Sequence, residues 1–191
     1  MSGDVDDDQV TRWAREAGQG DRQAASAFIR ALQGQVRRFL SHLAGPGEAD
    51  DLTQETFLRA LRSLPGFAGR SSARTWVFTI ARRVAVDHVR SAVTRPRLAS
   101  APDWQAAAEA AGAVTGSAED GVTLQHLIAG LTRERREAFV ATQVLGLSYA
   151  EAAQVCQCPV GTIRSRVARA REDLVAAWQT DNRPTPGRRV G

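Results

Sequence analysis

The chain has 191 residues, 43% of them hydrophobic and 24% charged, with a formal net charge of +4. That is long enough for one ordinary domain or two small ones, each with a real core. No segment approaches the roughly 18 consecutive apolar residues that a membrane span needs, and the opening "MSGDVDDDQV" is acidic; neither membrane insertion nor a signal peptide is expected, and the expected location is cytoplasmic.

All 25 basic residues are arginine, and their distribution is uneven. Residues 1–8 hold four acids and no base, whereas 9–97 hold 15 arginines against 7 acids. Residues 98–120 again hold four acids and no base; 121–180 hold 7 arginines against 5 acids, and 181–191 hold 3 against 1. Two basic blocks separated by an acidic one suggest two modules that meet a polyanion. The two cysteines, Cys156 and Cys158, are too few for a disulfide framework, and His42, His88 and His126 stand far from them in sequence. No metal and no cofactor is expected.

Along the chain the 3.6-residue period dominates and no segment alternates long enough to argue a strand, so the fold class is all-α. The expected organisation is an acidic extension over 1–8, a helical domain over 9–97, a flexible acidic linker over 98–120, a helix-turn-helix domain over 121–180 and a basic disordered tail over 181–191. In the first domain helices are expected near 7–18, 21–43, 48–63 and 72–93. The breaks "GQGD", "GPGEAD" and "PGFAGRSS" each supply Gly or Pro followed by a capping Asp or Ser. The linker, rich in Ala, Gly and Ser, carries at most a short helix around Trp104 to Ala111. In the second domain helices are expected near 120–130, 132–145, 149–155 and 160–178.

The segment "LSYAEAAQVCQCPVGTIRSRVARA" begins with a capping box, Ser148 and Glu151, that starts a short helix. A tight turn at Cys156 to Cys158 follows, and Pro159 suits the start of a longer basic helix. A short helix, a short turn and a basic helix make a helix-turn-helix. Val160, Ile163, Val167, Ala170 and Leu174 recur at steps of 3 and 4, so they pack one face of the second helix. Thr162, Arg164, Ser165, Arg166 and Arg169 lie outside that row and are the candidates for DNA contact.

Upstream, "ADDLTQETFLRALRSLPGF" puts Asp51, Gln54 and Glu55 on one side of a helix, with Gln54 prolonging the line of Phe57, Leu61 and Leu64. A contact patch and an ordinary solvated helix start both account for that arrangement. In "RSSARTWVFTIARRVAVDHVR", Trp76, Ile80 and Val84 form a stripe. Asp87 falls on its side and is expected to be a buried acid paired with an arginine.

The three motifs "DDLTQETFLRAL", "SSARTWVFTIARRVAVDHVR" and "LSYAEAAQVCQCPVGTIRSRVARAREDL", in this order, make the chain resemble bacterial RNA polymerase sigma factors of the extracytoplasmic function group over roughly residues 9–178. The resemblance implies a non-catalytic promoter-recognition subunit. Asp51, Gln54 and Glu55 match the patch that docks on the clamp helices of the polymerase largest subunit. The loop from Pro65 to Ser72 and the following helix match the element that captures the −10 region and its flipped base. The candidates there are Arg70, Ser71, Ser72, Arg74, Arg82, Arg83 and Arg90, with Trp76 taken as core. The second domain matches the reader of the −35 element and also touches the polymerase flap, while the linker either threads near the RNA exit path or is only a soluble tether. An anti-sigma factor is an expected partner, and closure of one domain on the other is a competing means of control.

Two positions depart from the family pattern. Arg83 stands where Asn is common, and Gln157 stands where the turn usually has Gly, so the turn is expected to be shaped differently. No Ser-His-Asp or Cys-His arrangement, phosphate-binding glycine loop or metal cluster is apparent in the sequence, which points away from an enzyme. The rival classes are a stand-alone helix-turn-helix regulator and a redox or metal switch built on Cys156 and Cys158.

Overall fold

In the computed structural model, which describes residues 6–94 and 118–181, every regular element is helical. The first domain contains α1 (Asp7–Gly18), α2 (Arg22–Ala44), α3 (Ala49–Ser63) and α4 (Ala73–Thr94). The second contains α5 (Ala118–Gly130), α6 (Arg133–Phe139), α7 (Tyr149–Cys156) and α8 (Val160–Asp181). The short helix expected around Trp104 to Ala111 and the tail after 181 lie outside the described residues.

Local chemistry accounts for most boundaries. Asp7 and Asp8 sit in the first turn of α1, where the helix dipole favours acids, so the acidic extension runs directly into a helix. Asp21 caps α2 by accepting from the Gln23 and Ala24 amides at 2.8 and 3.1 Å. Ser72 caps α4, its hydroxyl accepting from the Thr75 amide at 3.1 Å. The break before α3 is different from the expected aspartate cap. A 3-10 turn over Pro46–Glu48 leads into the helix, and no side chain caps it.

Gly18, the last residue of α1, is glycine for a steric reason, since a Cβ there would lie 2.7 Å from the Leu64 carbonyl oxygen. The glycine lets α1 press against the 3-10 turn Leu64–Gly66 that precedes the loop to α4.

The first core runs down α2 through Phe28, Leu32, Val36, Phe39 and Leu40, all buried. Phe28 meets Phe57 of α3 edge-on at 6.3 Å, and Phe39 meets Phe78 of α4 at 5.4 Å. The buried residues of α4 are Ala73, Thr75, Val77, Phe78, Ala81, Val84 and Ala85, while Trp76 and Ile80 are only half-buried. The expected stripe of Trp76, Ile80 and Val84 is therefore too narrow. The helix is covered on two sides, by α2 and α3 of its own domain and by α7 of the second.

That second coverage joins the domains. α4 packs on α7, and α2 touches α5, α6 and the π-helical turn Val140–Val144. Ile128, Val140, Leu145 and Leu147 belong to one apolar cluster continuous with Phe39 and Phe78. Among the described residues no helix is long and apolar enough to cross a membrane.

Candidate nucleic-acid interface

The helix-turn-helix is built as its sequence dictates. Ser148 accepts from the Glu151 amide at 3.2 Å, and the Glu151 carboxylate accepts from the Ser148 amide at 2.9 Å, closing the capping box of α7. Burial alone would raise the Glu151 pKa, but hydrogen bonds from Ser148 and Thr75 and the charge of Arg74 hold it below its ordinary value. Gln157 closes the turn at φ 54° and ψ 48°. The turn thus keeps the left-handed shape a glycine would adopt, against the expectation of a different one.

Along α8, Ile163, Val167 and Ala170 are buried and Leu174 partly so, while Val160 at the helix start is 37% exposed. Arg164, Ser165 and Arg169 are exposed to solvent, and Thr162 and Arg166 are half-exposed. Ser165 turns its hydroxyl back to the Thr162 carbonyl at 3.0 Å, and Arg166 leans on Cys158 Sγ at 3.7 Å. Thr162, Ser165 and Arg169 thus point away from the packed row, while Arg164 and Arg166 flank it on either side, with a graded exposure. α8 packs on α5, α6 and α7, all of its own domain.

Cys156 is buried, and burial pushes its thiol up to about 12, so it stays protonated and unreactive near neutral pH. Among the described residues no group of three or more His, Cys, Asp or Glu is arranged to hold a metal ion.

In the first domain the predicted arginines divide into two sets. Arg70, Arg83 and Arg90 are exposed. Arg74 and Arg82 are turned inward. Arg74 donates from Nε to Gln35 Oε1 at 2.9 Å and from Nη2 to the Leu145 carbonyl of the second domain. Arg82 donates from Nε to Glu137 Oε2 of the second domain at 2.7 Å, with the arginine side chain 17% and the glutamate side chain 1% exposed. Ser72 is spent on the α4 cap and Ser71 is half-exposed. Asp87 keeps the arginine partner expected of it, Arg59 at 3.0 Å, but its side chain is 56% exposed, so its expected burial is wrong.

The acidic patch on α3 is open. Asp51 and Gln54 are exposed, and Glu55 is tied to Arg59 at 2.7 Å. Beside them, α2 and α3 form a groove of about 510 Å³ whose lining includes Ile29, Gly34, Gln54, Phe57, Leu58 and Leu61. Leu58 is 42% exposed at its edge. The sequence reading missed the α2 side of this groove, because Ile29 and Gly34 are separated from the α3 motif by a turn and carry no signal of their own. It also missed Phe67, whose ring lies 4.9 Å from Trp76 at the loop before α4. Its position inside the motif-bearing loop was the available clue.

Comparison with known proteins agrees with this architecture. The Sigma-70 region 2 family matches residues 28–95, and the Sigma-70 region 4 family matches residues 122–174. The chain is 50% identical over 177 residues to the ECF RNA polymerase sigma factor SigC of Mycobacterium tuberculosis, covering 93% of this chain and 95% of that one. It is 32% identical over 165 residues to the ECF RNA polymerase sigma-E factor of Escherichia coli, covering 81% and 86%. Among solved structures, the sigma factor RpoE in complex with the anti-sigma factor NepR from Bartonella quintana aligns with a TM-score of 0.66 at 28% identity, covering 82% of this chain and 98% of that one. The fold is also shared with CnrH, solved with the cytosolic domain of CnrY, at a TM-score of 0.71 and 23% identity over 93% and 100% of the two chains. Sigma factors are non-catalytic specificity subunits that bind core RNA polymerase and promoter DNA. The chain belongs to the sigma-70 family, among the extracytoplasmic function (ECF) RNA polymerase sigma factors.

Proposed function

We propose that this sigma factor acts in the cytoplasm, carries core polymerase to promoters with a −10 and a −35 element, and assists strand opening at the −10 element. The observation that carries the reading is the set of exposed arginines and hydroxyls on α8, held by the buried Ile163, Val167 and Ala170, in a chain whose first domain matches sigma region 2. Arg164, Ser165 and Arg169, flanked by Thr162 and Arg166, read the −35 duplex in the major groove. Arg70, Ser71, Ser72, Arg74, Arg82, Arg83 and Arg90 hold the −10 strand. Unstacking costs a few kcal/mol per step, and cationic and stacking contacts to the freed strand offset it. Phe67, paired with Trp76 at the loop, supplies an aromatic surface for such stacking.

Asp51, Gln54 and Glu55 dock on the clamp helices of the polymerase largest subunit, and the second domain meets the flap. The apolar groove beside Gln54, with Leu58 exposed at its edge, is the kind of surface a helix from another protein fills. A Bartonella quintana neighbour is solved with an anti-sigma factor, and we extend that mode of control to this chain.

Footprinting on genomic promoter fragments, with core polymerase and with the chain alone, tests the reading. Protection centred on paired −10 and −35 segments only when both proteins are present is the expected result. Specific duplex protection by the chain alone, unchanged by polymerase, would instead make it a stand-alone regulator.

A further inference from the structure

The loop assigned to −10 strand capture is held by a helix that supplies none of the candidate DNA contacts. α1 lies ahead of the segment that matches the Sigma-70 region 2 family, which begins at residue 28. Asp7, Thr11, Arg15 and Gly18 recur at steps of 4, 4 and 3, so they share one side of α1. Each meets the loop or the start of α4, in reverse order along the chain. Gly18 lies against the Leu64 carbonyl, and the Arg15 guanidinium lies against Gly69. The Thr11 hydroxyl accepts from the Ala73 amide at 3.0 Å, and the Asp7 carboxylate stands 3.9 Å from Arg74 Nη1. α1 thus runs antiparallel to the chain from Leu64 to Arg74.

Arg15 is the informative member of this row. Gly69 has φ 64°, in the left-handed region, and a Cβ there would lie 2.6 Å from Arg15 Nη2 and 3.1 Å from Nε. The guanidinium therefore fills the place that a side chain at residue 69 would take. Arg15 is nevertheless exposed, and among the described residues no carboxylate pairs with it. Arg70, the next residue of the loop, is exposed as well. A guanidinium fixed in place with its charge uncommitted is suited to bind a phosphate through two parallel hydrogen bonds.

We propose that Arg15 is a further DNA contact, which binds a phosphate of the captured −10 strand where that strand crosses Gly69. α1 holds Arg15 and the loop in register for the contact, and so forms part of the strand-capture site beside the loop and α4. The ligand is a phosphodiester of single-stranded DNA. The proposal rests on the assignment of the loop from Pro65 to Ser72 to −10 capture.

The test uses the full chain bound to core polymerase and a fluorescein-labelled non-template strand from a promoter fragment protected in footprinting. Strand binding is measured by anisotropy over a range of salt concentrations for the unmodified chain, Arg15→Ala and Arg15→Lys. Arg15→Ala is expected to weaken binding about tenfold and to reduce the slope of log affinity against log salt by about 0.7, the share of one phosphate on a single strand. Arg15→Lys keeps the slope and recovers most of the affinity, because the ammonium still neutralises the phosphate. Affinity lost equally in both variants, with the slope unchanged, would make Arg15 a prop for the loop and overturn the contact. Unchanged binding by Arg15→Ala overturns it too. Weaker binding of Arg15→Ala to core polymerase itself would place Arg15 on the polymerase instead of the DNA. If the unmodified chain with core polymerase binds the strand no better than core polymerase alone, the −10 assignment has failed, and the proposal with it.

Discussion

Gln157 sits at φ 54°, a conformation that costs an ordinary L-residue about 1–2 kcal/mol. Its side chain is exposed, so the left-handed turn is imposed by the hydrogen bonds around it. The Gln157 amide donates to the Gln154 carbonyl at 3.3 Å and the Cys158 amide to the Ala153 carbonyl at 3.1 Å. Gln157→Gly should therefore raise stability by about 0.5–1 kcal/mol, read as a higher midpoint in thermal denaturation, with no loss of DNA binding. The same single-residue logic separates two of the exposed arginines of α8, Arg164 and Arg169. Arg164 lies in the second turn, where a recognition helix meets base edges, and Arg169 lies more than a turn farther on. Arg164→Ala should cost about 1–3 kcal/mol on the promoter duplex and relax sequence preference. Arg169→Ala should weaken all duplexes alike and reduce the slope of log affinity against log salt by about 0.9. Equal slopes in the two variants would show that both arginines do the same job.

At the scale of elements, α7 couples its own start to the first domain, because Glu151 serves both the capping box and Thr75 of α4. Its pKa is lowered from the ordinary 4.5 in the folded chain. The stabilisation it supplies is thus fully present above about pH 4.5 and is lost as pH falls through the lower folded value. Urea unfolding of the chain and of Glu151→Gln should differ by about 1 kcal/mol at pH 7, the ordinary worth of a cap, and converge in more acidic solution. A difference that stayed constant with pH would remove the carboxylate from that role.

Helix positions were readable because each stretch repeats its apolar residues with one period and ends in a known breaker. Asp21 and Ser148 cap where their sequence placed them. The row Ile163, Val167 and Ala170 is buried as its spacing required. Legibility ended where one helix is covered by two neighbours. Val77 and Phe78 disappear from a single-stripe reading of α4, since periodicity describes one buried face and α4 has two.

The contact between the domains, at the scale of the whole molecule, was not legible residue by residue. In "RERREAF" Glu137 reads as one more surface charge among arginines, and Arg82 reads as a DNA contact. Only their juxtaposition at 2.7 Å gives each a partner in the other domain. The surface we propose for polymerase docking was half legible for a related reason. Gln54 stood out within its motif, but Ile29 and Gly34 join it only once α2 lies beside α3. Sequence order thus conveyed which modules are present and what family they belong to, whereas the state in which they rest depends on side chains more than fifty residues apart.

The most direct test of the promoter-specificity role is run-off transcription from genomic promoter fragments, using core polymerase with and without this chain. Specific start sites that appear only when the chain is added, with shared sequence about one and about three turns of duplex upstream, are the predicted result. Transcription that starts at the same places and to the same extent without the chain would contradict it.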